Sequence, residues 1–264
     1  MLRSLMLSGQ LCDPNDPEEF AKLSKLRDLG IDLISGFITI SRPYAVAPWV
    51  IRNGKPDIST HDERWWDHIA LLADRCRTIG LGMVFQIINK WWIHEYGYPQ
   101  SVAYGTPTGE YADALRKMLN RLTPIVNSLK LAAILPVTEG GSGSRSMCWF
   151  IRDTMMNAGL SSFVHWISNS GMASDGWIES PHPKTVAAWT KGRIVFGSTD
   201  GWKPSAAEWR KCVQYQKDAG ASAIELWAGE FSGNPPGGAY AGRQRPSAAY
   251  IARTCGAQIS ETGR

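Results

Sequence analysis

From residue 2 onward, short apolar runs rich in β-branched residues alternate with segments whose apolar residues recur at helical spacing. This βαβα order constrains the fold more than any other feature. Parallel strands need crossovers, and crossover helices cover the sheet they connect. The predicted strands are Leu2–Ser8, Ile31–Ile40, Leu81–Asn89, Leu131–Thr138, Ser162–Ser168, Arg193–Ser198 and Ala221–Ala228, with a short one around Trp177-Ile178. Between them helices are predicted over Glu18–Leu29, Trp65–Thr78, Tyr111–Leu129, Ser144–Ala158, Pro183–Trp189 and Pro204–Ala219, with a last one over Pro246–Thr254. Gly30 and Gly80 stand where C-caps belong, and Ser59-Thr60-His61-Asp62 precedes the second helix as an N-terminal cap. Two segments, Ser41–Asp57 and Lys90–Thr108, read as long loops.

The chain has 264 residues with no composition shift that would mark a linker and no internal repeat. A closed barrel of about 250 residues uses such a length as one domain. The expectation is therefore an α/β fold, a single (β/α)8 (TIM-type) barrel over residues 1–264 with one degenerate strand. The rival is a doubly wound open sheet. Its usual first-turn G-x-G-x-x-G is missing after Leu2–Ser8.

Composition narrows the chemistry. Lys and Arg number 28 against 24 Asp and Glu, and the basic residues are scattered, so no stripe for a nucleic acid is expected. Cys12, Cys76, Cys148, Cys212 and Cys255 are odd in number and form no C-x-x-C pair, which reads as reduced thiols. The apolar stretch at the N-terminus is too short for a signal peptide, and no 18-residue apolar run follows. No membrane partner is expected; the compartment stays open between the cytoplasm and export by another route, and the oligomeric state is not legible.

In a barrel the reacting groups gather at the C-terminal strand ends. Here those ends carry Gln10 and Asp13, Thr39 and Ser41 with Arg42, Gln86 and Asn89 with Trp91 and Trp92, Glu139, His165 and Asn169, Asp200 and Trp202, and Glu225, Trp227 and Glu230. Neither H-x-H nor H-E-x-x-H occurs among the five histidines, so no metal is expected. There is no G-x-S-x-G elbow, and Gly140-Gly141-Ser142-Gly143-Ser144 lacks the lysine of a Walker loop. No cofactor is called for. Twelve tryptophans, several just past predicted strands, offer flat apolar faces suited to sugar rings.

Carboxylates among aromatics are the equipment of glycoside hydrolysis, in which one acid protonates the leaving oxygen and a second carboxylate attacks or activates water. Glu139 ends an apolar strand, where burial would raise its pKa, and is the expected proton donor. With Thr138-Glu139, Ile224-Glu225-Leu226-Trp227, Gly30–Ile34, Arg42 and Gly80–Val84 in these places, the chain resembles clan A of the glycoside hydrolases. That resemblance implies a retaining glycosidase acting on an oligo- or polysaccharide, with an acid/base glutamate after strand four and a nucleophile after strand seven. It also implies that Thr138 stands where the clan has an asparagine that binds the sugar 2-hydroxyl.

The nucleophile is open between Glu225 and Glu230 if Ala221–Ala228 is strand seven. If it is strand eight, Trp227 resembles the clan's platform tryptophan and Asp200 is the candidate. Arg42, Asn89, Trp91, Trp92, Thr138, His165, Asp200, Trp202 and Trp227 are expected to line the cleft. Two other readings remain: a catalytically inactive carbohydrate-binding barrel, and a phosphate-ligand enzyme using the glycine loop at 140–143.

Overall fold

The computed structural model describes residues 2–6, 17–28, 30–37, 48–53, 55–89, 105–138, 145–166, 178–179, 196–200 and 223–227. Among these the order is β1 (Leu2–Met6), α1 (Pro17–Asp28), β2 (Leu33–Phe37), β3 (Trp49–Arg52), β4 (Lys55–His61), α2 (Glu63–Ile79), β5 (Gly82–Asn89) and α3 (Gly109–Asn127). There follow β6 (Ala132–Thr138), α4 (Arg145–Asn157), β7 (His165–Trp166), β8 (Ile178–Glu179), β9 (Phe196–Asp200) and β10 (Ala223–Trp227).

Eight strands form one sheet in the order β7-β6-β5-β2-β1-β10-β9-β8. Every pairing is parallel except that of β8 with β9. Read from β9 through β10 to β1 and on to β7, the parallel strands run in cyclic chain order, with β10, the last strand of the described residues, beside β1. A doubly wound sheet would reverse direction at a switch point instead.

Alternation divides the sheet into two faces. Ile34, Met83, Phe85, Ile87, Ala132 and Ile134 pack with Leu23 and Leu26 of α1, Ile69 and Leu72 of α2, and Leu115, Met118, Leu122 and Val126 of α3 in one large core. The alternate residues Leu33, Val84, Ala133 and Leu135 form a separate small cluster with Leu2 and Leu131 on the interior face. The helical stripe predicted for α3 is fully buried. Each such side chain contributes about 1.5–3 kcal/mol of burial.

Three expectations need correction. The segment Ser41–Asp57 is not all loop, because Trp49–Arg52 and Lys55–His61 pair antiparallel as a hairpin. The signal is Asn53-Gly54: two residues connect Arg52 to its partner Lys55, and Asn53 takes φ +52°, as a tight hairpin turn demands. The strand expected at Arg193–Ser198 continues to Asp200, its described part being Phe196–Asp200, so Asp200 closes the strand rather than following it. The short strand near Trp177-Ile178 is real at Ile178–Glu179, but it runs against β9, so it cannot be an ordinary member of a parallel barrel.

Candidate functional site

The interior face carries polar groups where a packed barrel would carry only aliphatic ones. Ser4, Ser35 and Gln86 are fully buried. Gln86 Nε2 donates to Ser35 Oγ at 2.7 Å, joining β5 to β2. Ser4 Oγ has no hydrogen-bond partner among the described residues. Gln86 stands in the census of strand ends, whereas sequence reasoning missed the two serines. Their signal is a small hydroxyl at an interior position of the period-2 pattern in Leu2–Met6 and Leu33–Phe37.

Parallel register extends this face to the strands at the chain's end. One row of partners runs Asp200, Trp227, Met6, Ser35, Val84, Ala133, His165. Asp200, Trp227 and His165 thus occupy interior-face positions on the row of Ser35. Glu225 stands between Ser198 and Ser4 in the next row toward the strand starts. Asn89 and Thr138 are partners at the ends of β5 and β6, in phase with Phe85, Ile87 and Ile134, the helix-facing set. Arg42, Trp91, Trp92, Glu139, Trp202 and Glu230 lie outside the described residues.

A second polar cluster fixes the hairpin to the helices. Asp62 caps α2 by accepting from Arg64 N at 3.1 Å, and the Arg64 side chain returns to the same carboxylate at 2.7 Å. These bonds hold the Asp62 carboxyl below the usual carboxylate range, against the opposing effect of its burial. Arg121 of α3 grips both oxygens of Glu63, with one bond at 2.7 Å, and lies 4.7 Å over the Trp66 ring. Trp66 Nε1 donates to Pro48 O at 3.2 Å, and the His61 ring lies 5.4 Å from Trp66. His61 sits here at the end of β4. Its burial first, and then the Arg121 cation, hold its pKa below the ordinary value near 6.5.

Among the described residues no cluster of His, Cys, Asp and Glu could hold a metal ion, and no helix is long and apolar enough to cross a membrane. Cys76 and Cys148 are free thiols. Burial pushes both up to about 12, which suits packing rather than reactivity.

The sequence matches no protein-family profile and no curated protein. Solved structures match it in fold. The endo-beta-1,4-mannanase from Thermotoga petrophila aligns over 98% of this chain and 76% of its own, at 11% identity and TM-score 0.60. A structure described only as a glycoside hydrolase aligns over 98% of this chain and 99% of its own, at 12% identity and TM-score 0.58. D-psicose 3-epimerase from Clostridium cellulolyticum aligns over 99% and 98%, at 8% identity and TM-score 0.53. These neighbours are TIM-barrel enzymes, and the fold is the one used by clan A glycoside hydrolases. The epimerase shows that the same fold serves other sugar chemistry.

Proposed function

We propose that the chain is a glycoside hydrolase: a single closed barrel that cleaves a glycosidic bond of an oligo- or polysaccharide with two carboxyl groups, without metal or cofactor. One observation carries the choice of residues. β10 is hydrogen-bonded to β1 on one side and to β9 on the other, which supports β10 as the last barrel strand; counted as the eighth, with one degenerate strand between β7 and β9, it leaves β9 as the seventh. The second carboxylate is then Asp200, which closes β9, and Trp227, its register partner, is the platform for the sugar ring. Glu225 falls one pleat deeper, and Glu230 follows the last strand. Glu139 comes directly after Thr138, the end of β6.

In this reading the Glu139 carboxylic acid protonates the glycosidic oxygen as the bond to the anomeric carbon breaks. The Asp200 carboxylate attacks that carbon, and the Glu139 carboxylate then takes a proton from the water that releases the sugar. An Asp200–Glu139 carboxyl separation of about 5–5.5 Å belongs to this retaining course, and about 6.5–9.5 Å to inversion. Arg42, Trp91, Trp92, His165 and Trp202 are cleft-lining groups. The nature of the structural neighbours and the twelve tryptophans support a carbohydrate ligand.

The test is reducing-end release from a panel of mannans, glucans and other glycans by wild type, Glu139→Gln and Asp200→Asn. Loss of about 10²–10⁴-fold in both variants is expected. Unchanged turnover in Glu139→Gln removes it as the acid. Thr138, where the resembled clan has asparagine, favours one other reading, an inactive carbohydrate-binding barrel. Glycan binding without hydrolysis, unaltered in Glu139→Gln, would select it.

A further inference from the structure

The β3–β4 hairpin is tied to the rest of the molecule at its base. Val50–Arg52 pair with Lys55–Asp57, and Trp49 pairs with His61, so the residues between Asp57 and His61 bulge out of the ladder and part the tip from the base. At the base Pro48 O accepts from Asp62 N at 3.1 Å and from Trp66 Nε1 at 3.2 Å. A further tie runs to α3 through Arg121.

Arg121 serves three partners at once. It grips the Glu63 carboxylate with both terminal nitrogens, stands over the Trp66 ring, and brings Nη1 to 3.5 Å from His61 Nδ1. A guanidinium has donors and no acceptor, so this approach requires a His61 ring with a bare Nδ1 and its proton on Nε2. Protonating Nδ1 removes that bond and sets two cations against each other. Burial first, and then Arg121, hold the pKa of the ring below its ordinary value. Lys117, one turn before Arg121 on α3, adds to the repulsion, and Glu63 on α2 opposes it, although both Glu63 oxygens are taken by Arg121. Asp67 of α2 acts on Arg121. Hydrogen bonds from Ser59, Arg64 and Arg121 hold Asp57, Asp62 and Glu63, in that order, below the usual carboxylate range. Of these groups, His61 is therefore the one that changes charge as pH falls from 7 toward 5.

We propose that His61 and Arg121 form a pH-sensitive latch: neutral His61 holds the base of the hairpin to α3, and protonated His61 is repelled and lets the hairpin open locally while the barrel stays folded. The hairpin belongs to the connection from β2 to α2, which leaves the sheet at the C-terminal strand ends, where the reacting groups of a barrel gather. Loosening it acts at the mouth. That consequence rests on the glycosidase reading of the mouth; the latch itself does not.

The test is amide hydrogen exchange of the full chain at pH 7 and pH 5, corrected for the intrinsic rate, in wild type and His61→Gln. In wild type the opening of the hairpin amides, with Asp62 at the base, is expected to rise by about 3–10-fold on going to pH 5, the worth of one typical hydrogen bond. In His61→Gln, whose side-chain oxygen can still accept from Arg121 but does not titrate, it should stay level. Low urea should leave the opening unchanged, because a local opening exposes little surface. No rise in wild type, an equal rise in both proteins, or an opening that follows urea as that of Val84 does overturns the latch. If His61→Gln does not fold, the ring nitrogen shifts of wild-type His61 decide: a bare Nδ1 and a protonated Nε2 are expected at pH 7, and a proton on Nδ1 overturns the proposal. No substrate is used, so a chain without glycosidase activity can still show the latch, and an active glycosidase can lack it.

Discussion

At the scale of single residues, His61 shows how position creates a property that composition conceals. As one of five histidines on a polar stretch it is unremarked in the chain. Folded, it lies against Trp66 with its Nδ1 3.5 Å from Arg121 Nη1, while Glu63 and Lys117 contribute weaker and opposed fields. Its neutral form is favoured, so its folded pKa is below the unfolded value near 6.5. The unfolded chain therefore binds the proton first as pH falls. The stabilisation is complete above pH 6.5 and is lost as pH drops through the folded value. Tm should fall between pH 7 and pH 5 more steeply in wild type than in His61→Gln; equal slopes would mean that His61 does not couple to folding.

Among the elements, the most legible were those with local punctuation. Helix α2 is bounded by Asp62, whose side chain accepts from the first turn, and by Gly80, whose φ of +74° is the left-handed conformation of a helix stop. Both were readable from the chain. The β3–β4 hairpin reads as loop in the chain although Asn53-Gly54 marks its turn, because Pro56 and the polar run through Thr60 hide a strand pattern. What holds that hairpin is tertiary: Arg121 from α3 and the Trp66 indole from α2. A close approach elsewhere was also invisible. A Cβ on Gly82 would stand 2.6 Å from Leu131 O and 2.7 Å from Leu33 Cδ2, where β2, β5 and the approach to β6 meet. Gly82→Ala should destabilise by about 1–3 kcal/mol through overpacking, read as a lower denaturant midpoint with an unchanged slope. A midpoint equal to wild type would show that the strands part there without strain.

For the molecule as a whole, the order of strands organises both stability and site. β5 is paired to β2 from Gly82 to Gln86 and to β6 from Met83 to Asn89, and is packed on both faces, so its central amides should open only with global unfolding. In native-state hydrogen exchange Val84 and Phe85 should be among the slowest amides, and the singly paired hairpin of β3 and β4 much faster. Equal exchange in both would mean that β5 is not part of the stable centre. The same order decides which carboxylate meets the sugar in the proposed site, because β10 beside β1 brings Asp200 and Trp227 to the ends of their strands and leaves Glu225 inside.

The sequence by itself determined the alternation of strand and helix, the faces of α2 and α3, the helix caps, and the set of acidic and aromatic residues near strand ends. Each of these depends on neighbours a few positions away, which periodicity records. Only the tertiary structure decided that β10 lies between β1 and β9, that β8 runs against its neighbour, and that Ser4, Ser35 and Gln86 share one interior with the position of Glu225. Those relations join residues far apart in the chain, through hydrogen bonds between strands, and no local pattern encodes which strand comes to lie beside which.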